Sequence, residues 1–350
     1  MARKGGSMAG TGLGRFVRLG GLLALVALVV TACADVQEDG SPDGGATGPT
    51  ADRQVPDNRD ITIKIAVNPW DGSAANANVA KVLLEDELGY TVELVEIDEF
   101  AQFPALATGD LDATLEVWPS GHGKDYKKYI EAGAGVVDGG ELGVIGQIGW
   151  WLPTYLLEER PELATWEGLK GNEDLFRTAE SGDAGQILGG DPSFVTFDQA
   201  IADNLGLNLK VVYAGSEAAQ LSALDAAYQK QEPILFYFWT PHWAHAQYDL
   251  TMVELPEVTP ECEDAAVNDP DAYACGYPQD VLYKAFHDGL QAKAPSAFAF
   301  LSAMSYTNED QNAIALEIHN GVDPAEAART WIDAHPDVWQ PWVDAGLAAE

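Results

Sequence analysis

The 350-residue chain has 3 cysteines and 19 basic residues, and each scarcity removes a class of protein. Against 55 acidic residues, the few lysines and arginines leave a formal charge of −36. Nucleic acid and anionic membrane surfaces attract cationic chains, so neither is an expected partner. A solvated acidic surface is the simplest reading of the excess. The cysteines lack the spacing of a CxxC-type metal knuckle, and a second pair is missing. The apolar run Leu22 to Val30 is far short of the 18 or so residues that a membrane-spanning helix needs. No Walker loop, GxGxxG, HExxH or GxSxG elbow stands where a strand turns into a helix, so an enzyme reading starts without a motif.

The amino-terminal residues carry chemistry of their own. Arg3, Lys4, Arg15 and Arg18 precede the apolar run with no acid among them, and small residues follow it. This pattern is that of a secretory signal peptide spanning residues 1–32. Its removal would take the charge to about −40. Val30-Thr31-Ala32-Cys33 resembles the lipobox of bacterial lipoproteins, in which the cysteine is acylated. The resemblance implies a lipid at Cys33 and a protein held on the outer face of the cell membrane. The alternative is an ordinary secretory cleavage beside an incidental cysteine. Cys262 and Cys275 then remain, and an exported chain pairs them. Closing so short a loop contributes about 3 kcal/mol in the chain-entropy model. Residues 33–58 are rich in Gly, Pro, Asp, Thr and Ser without hydrophobic period, which predicts a flexible tether reaching about 25 to 30 Å.

The remaining residues exceed a usual single core, so two domains are expected. Ile61 to Val67, Thr91 to Ile97 and Ala113 to Trp118 read as strands. Helical patterns lie between and after them: Ala77 to Leu88, stopped at Gly89, then Phe100 to Thr108 and Lys124 to Ala132. A second set begins near Gly149, with a strand at Lys210 to Tyr213, a helix capped by Ser216 running to about Lys230, and a buried strand at Pro233 to Trp239. The last hundred residues read as mainly helical, most clearly Pro295 to Met304, Asn308 to His319 and Pro324 to Ala334. The alternation predicts an α/β fold with largely parallel sheets.

Aromatic residues recur at the carboxyl ends of these strands, where open α/β sheets bind ligands. Asn68-Pro69-Trp70-Asp71-Gly72 follows the first strand, Glu116-Val117-Trp118-Pro119-Ser120-Gly121-His122 the third, and Phe236 to Trp243 the last of the second set. With VWPSGH at Val117 to His122, GGDPSF at Gly189 to Phe194 and FWTPHW at Phe238 to Trp243, the chain from about Ile61 onward resembles the glycine betaine, proline betaine and choline binding proteins of ABC importers. That resemblance implies a two-lobed type II periplasmic-binding-protein fold, each lobe a mixed, mainly parallel sheet flanked by helices. It places residues 59–148 and 249–350 in the first lobe and 149–248 in the second.

The resemblance also assigns roles. Trp70, Trp118 and Trp239 correspond to rings that cage a trimethylammonium head, and Trp150 or its neighbour Trp151 to a further aromatic that some members place there. Phe194 stands where many relatives carry tryptophan and offers a weaker cation–π face. His122 and His242 match histidines that contact a ligand carboxylate, and the backbone N–H groups of Val195 and Thr196 fit the same donor role. Asp71, beside Trp70, suits the hydroxyl of choline. A quaternary nitrogen has no N–H to donate, so aromatic faces serve it well, at about 0.5 to 2 kcal/mol per desolvated ring. Two histidines aimed at one ligand rank glycine betaine above choline. The expected partners are such a solute and the transmembrane subunits of a permease, with the lipid at Cys33 as membrane contact, no cofactor and a monomeric state. Two readings compete: a metal-uptake lipoprotein with His122, His242 and His245 on zinc, and an extracellular hydrolase using His242 with a nearby aspartate.

Overall fold

The computed structural model describes residues 55–349, so the signal peptide, Cys33 and all but the end of the tether lie outside the described residues. Nine strands form one mixed sheet. They are β1 (Thr62–Val67), β2 (Thr91–Glu96), β3 (Ala113–Val117), β4 (Val136–Pro153), β5 (Gly185–Gly189), β6 (Leu209–Tyr213), β7 (Phe236–Thr240), β8 (Leu250–Met252) and β9 (Gln279–His287). The spatial order is β2-β1-β3-β9-β4-β7-β5-β6, with β8 pairing β4.

Two parallel triplets lie within that order. β1 pairs in parallel with β2 and β3, and β5 pairs in parallel with β6 and β7. Parallel neighbours need crossover connections, which here are helical, such as Asp71–Asp86 between β1 and β2. Between the triplets run β9 and the long β4, both antiparallel to their neighbours. β4 pairs with β9 from Val136 to Gln147 and with β7 from Gln147 to Trp151, so one strand serves both halves of the sheet. Its register slips between Asp138 and Glu141 and again between Glu141 and Ile145. Gly143 lies in the second slip at φ +91°, a backbone conformation that side-chain-bearing residues rarely adopt.

The helices begin where local chemistry sets them. Ser216 Oγ accepts the N–H of Ala219 and opens the helix Glu217–Lys230. Thr307 and Asp310 form a reciprocal capping box at Asn308–His319. Asp323 caps Pro324–Ala334, with Pro324 in the first turn, where its missing N–H costs nothing. The helices Asn308–His319 and Pro324–Ala334 pack on Asp71–Asp86, and their buried Ile314, Ala328 and Ile332 join Val79, Leu83 and Leu84 in one core.

The fold is the α/β arrangement expected, with β4, β5 and β8 added to the strands read from the sequence and with differences in three further places. The helix expected from Ala77 starts at Asp71. The helix expected over Lys124 to Ala132 starts at Pro119 and continues as a π-helix, Tyr126–Glu131. The carboxyl-terminal hundred residues contain β9, a central strand buried over Leu282 to Phe286, including Lys284, whose ammonium donates to the carbonyls of Ser302 and Met304. Cys262 and Cys275 are bonded, their Cα atoms 6.2 Å apart, tying the helix Pro260–Asn268 to the segment before β9. No helix among the described residues is long and apolar enough to cross a membrane.

Candidate functional site

The carboxyl ends of the strands converge on a cleft lined by Trp70, Glu99, Trp118, Ile148, Phe194, Val195, Tyr237 and Trp239. Trp70 follows β1 and precedes the helix Asp71–Asp86, and Trp118 stands in the same position between β3 and the helix Pro119–Asp125. Phe194 and Val195 come from the turn after β5, and Glu99 from the turn after β2. Tyr237 and Trp239 project from β7, with Ile148 opposite Trp239 on β4. The five aromatic residues are each between 5 and 8 % exposed, so the cleft is walled by ring faces and edges largely shielded from water.

The rings brace one another. Phe194 meets Trp70 edge-on at 5.6 Å and Trp239 edge-on at 5.7 Å, while Tyr237 and Trp239 lie 6.0 Å apart. Such tilted pairs are the favoured arrangement of ring quadrupoles. Trp118 is fixed differently, by lying against Gly146 of β4. A Cβ at Gly146 would overlap the Trp118 ring, so this glycine is a condition of the wall's shape.

Behind the wall, Glu116 on β3 accepts four side-chain donors. Its Oε1 takes the indole N–H of Trp70 at 2.8 Å and of Trp118 at 3.0 Å; Oε2 takes Asn76 at 2.6 Å and Gln311 at 2.7 Å. Burial pushes this carboxyl up to about 7, against the pull of those hydrogen bonds.

Glu99 is the one acid in the lining. Its Oε2 accepts the backbone N–H of Val195 at 2.9 Å, and its Oε1 lies 2.9 Å from Nε2 of His122. Nδ1 of His122 lies 3.0 Å from Asp125. Burial opposes charge on this imidazole, but the bonds to Asp125 and Glu99 outweigh it and raise its pKa to about 9, so His122 is a cation between two carboxylates.

Of the residues picked out from the sequence, the structure brings Trp70, Trp118, Phe194, Val195 and Trp239 to the cleft wall. It does not bring the two histidines there. His122 is fully buried behind Glu99. His242 stands by a neighbouring cavity with Asp71 and Trp243, its Nε2 2.7 Å from Glu217 and its Nδ1 accepting the N–H of Ala244. That acceptor role leaves Nε2 protonated in a neutral ring, as burial, which lowers its pKa to about 3, also demands. Asp71 sits beside it, its backbone N–H donating to Glu217. Trp150 is fully buried away from the cleft with its indole N–H on Asp198, and Thr196 also turns to Asp198. Glu99, Tyr237 and Ile148 are lining residues that the sequence pattern left unmarked. Tyr237 lies within the aromatic run of β7, and Glu99 at the end of β2 holds a strand-end position like that of Trp70.

The zinc reading loses its ligands here. His122 and His242 face carboxylates at separate places, and His245 contacts the carbonyl of Trp239 through Nε2. Among the described residues no group of histidine, cysteine and acid side chains is placed to hold a metal ion.

An aromatic cleft whose wall draws residues from both parallel triplets suits the capture of a small solute. The chain belongs to the family described as the substrate-binding domain of ABC-type glycine betaine transport systems, whose model matches residues 61–334. The family binds solutes for import and is not a family of enzymes. The chain is 27% identical over 290 residues to the trimethylamine N-oxide-binding protein of Pelagibacter ubique, covering 80% of this chain and 90% of that one. It is 24% identical to the glycine betaine/proline betaine-binding periplasmic protein of Escherichia coli, covering 82% and 91%. In fold it is similar to lactococcal OpuAC in its closed conformation with glycine betaine, at TM-score 0.63, 23% identity and coverage of 81% and 99%. A choline binding protein complexed with choline gives TM-score 0.65 at 20% identity, covering 82% and 96%.

Proposed function

We propose that the protein captures a small solute bearing a trimethylated nitrogen in the aromatic cleft, between lobes formed by residues 59–148 with 249–350 and by residues 149–248, and presents it to a membrane permease. Trp70, Trp118 and Trp239 with Phe194 and Tyr237 supply faces for the methyl groups. Three or four such rings give a large share of the roughly 8 kcal/mol that micromolar binding requires. An acylated Cys33 would hold the protein beside the permease; loss of membrane association in Cys33→Ala tests that part.

The observation that carries the ligand class is Glu99. Ranking glycine betaine first requires the two histidines to face a ligand carboxylate, aided by the N–H groups of Val195 and Thr196. His122 and His242 are instead engaged by Glu99 and Glu217, and Glu99 already occupies the Val195 N–H. A ligand carboxylate would enter against the carboxylate of Glu99, and like charges disfavour each other in a dry site. The reading supported best is a trimethylated solute whose polar end donates a hydrogen bond, such as choline, whose hydroxyl can donate to Glu99; the oxide of trimethylamine N-oxide, which the Pelagibacter relative binds, is an acceptor as a carboxylate is and gains nothing from Glu99. Calorimetry across choline, trimethylamine N-oxide, glycine betaine, proline betaine and carnitine tests this. Choline should bind at least tenfold more tightly than any of the others; a carboxylate binding most tightly would restore the betaine reading, tightest binding of the N-oxide would show that Glu99 does not set the polar end, and no binding by any of them would refute the ligand class.

A further inference from the structure

The four-donor carboxylate behind the wall has a role that packing alone does not explain. Two of the three tryptophans in the wall, Trp70 and Trp118, donate to the same oxygen of Glu116. A carboxylate on an indole N–H fixes the ring and increases the electron density of its face, which strengthens attraction to a cation. The remaining donors on Glu116, from Asn76 and Gln311, are neutral amides, so no protein cation balances it directly. An ionised group in such surroundings is costly until a positive charge comes near.

We propose that Glu116 is a positioning residue that sets the preference of the cleft for positive charge, aligning Trp70 and Trp118 and serving, when ionised, as the buried counter-charge of the bound ammonium group. This rests on the reading of the cleft as a trimethylammonium site. Ligand binding and ionisation of Glu116 then favour each other, so a cationic ligand releases a proton from this carboxyl near neutral pH, where burial places its titration. The other titratable groups facing Glu116 are Asp71, Glu217 and His242 around the adjoining cavity and Tyr306, whose hydroxyl reaches Asn76. Asp71 and Glu217 are themselves raised to about 6 and about 7 by burial. The response must therefore be assigned by substitution of Glu116 and not by its pH alone.

The probes are choline and 3,3-dimethylbutan-1-ol, which has the same shape and hydroxyl with carbon in place of the charged nitrogen. For a carboxyl titrating near 7, about a tenth is ionised at pH 6 and nearly all at pH 8.5, so wild-type affinity for choline should rise by up to about tenfold between them while the neutral alcohol stays flat. In Glu116→Gln, choline binding at pH 8.5 should fall at least tenfold and lose its pH response, with a clearly smaller loss for the alcohol, which shares the aligned rings but not the counter-charge. Equal losses for both ligands would reduce Glu116 to packing, and an unaltered pH response would assign it elsewhere; either result overturns the inference. Should the variant fail to fold, calorimetry of Asp71→Asn and of Glu217→Gln with choline in two buffers of different ionisation enthalpy still decides. Proton release that persists in both variants supports the inference, and its absence from either overturns it. A wild type that binds choline no better than the alcohol contradicts the functional reading itself.

Discussion

The carboxylate of Glu99, beyond β2, accepts the backbone N–H of Val195, beyond β5, at 2.9 Å. The contact joins the two halves of the sheet across the mouth of the aromatic cleft. It also fills, from within the chain, the donor that a ligand carboxylate would seek. Selectivity then follows from what the protein has already placed in the polar corner of its site.

Replacing that charge should change ligand choice, at a cost in stability from the loss of one of the two carboxylates that hold the buried His122 cation. In Glu99→Gln the carbonyl can still accept from His122, while the negative charge disappears and the amide no longer competes as strongly for Val195. Choline affinity should fall by roughly tenfold, about 1.4 kcal/mol, and glycine betaine affinity should improve. Titration of both ligands against the variant checks this; parallel losses would mean that Glu99 does not discriminate between them.

The rings carry the methyl groups in this account. Trp118→Ala and Trp239→Ala should each weaken binding by roughly tenfold or more, from the loss of one desolvated cation–π contact and the methyl burial that goes with it. Intrinsic tryptophan fluorescence, which should respond saturably to ligand in the wild type, measures both.

Gly146 gives a test remote from any polar contact. A side chain there overlaps the Trp118 ring, so Gly146→Val must push that ring from its place against β4. Ligand affinity should drop at least tenfold, following the displaced ring, with a destabilisation of about 1 to 3 kcal/mol for overpacking. Unchanged affinity would show that the position of Trp118 does not matter.

Stability should rise as pH falls through neutrality. Burial raises Glu116 and Glu217 to about 7 and Asp198 and Asp280 to about 6. A carboxyl with a raised folded-state pKa favours the folded chain when protonated, an advantage full below its unfolded value and lost as pH climbs through the folded one. His122, raised to about 9, acts in the same direction between its ordinary value and 9. His242, lowered to about 3, acts oppositely below its ordinary value. The melting temperature should therefore be higher at pH 5.5 than at pH 8, and thermal scans across that interval would show the reverse slope if these acids were ionised without cost.

The legible parts of the molecule were those with local signals. The alternation of Ile61 to Val67 announces β1, and the cap at Ser216 announces the helix Glu217–Lys230, before any fold is known. β4 and β9 carried weaker signals, because five glycines dilute the first and Asp280, Lys284 and His287 interrupt the second; their pairing partners lie far off in sequence. The tryptophans of the wall stood in motifs at strand ends and could be read there. The histidines beside them could not be placed, since sequence does not show that His122 is held by Glu99 and Asp125, or His242 by Glu217. Glu99 and Glu116 are two among 55 acids, and only the fold reveals them as buried.

The central claim is that the cleft reads methyl groups on nitrogen through aromatic faces. Choline and ethanolamine share a positive charge and a hydroxyl, and differ in three methyls against three N–H donors. Equilibrium titration of the two should show choline binding at least tenfold more tightly, because the wall offers rings where an ammonium needs acceptors. Equal or tighter binding of ethanolamine would contradict the account.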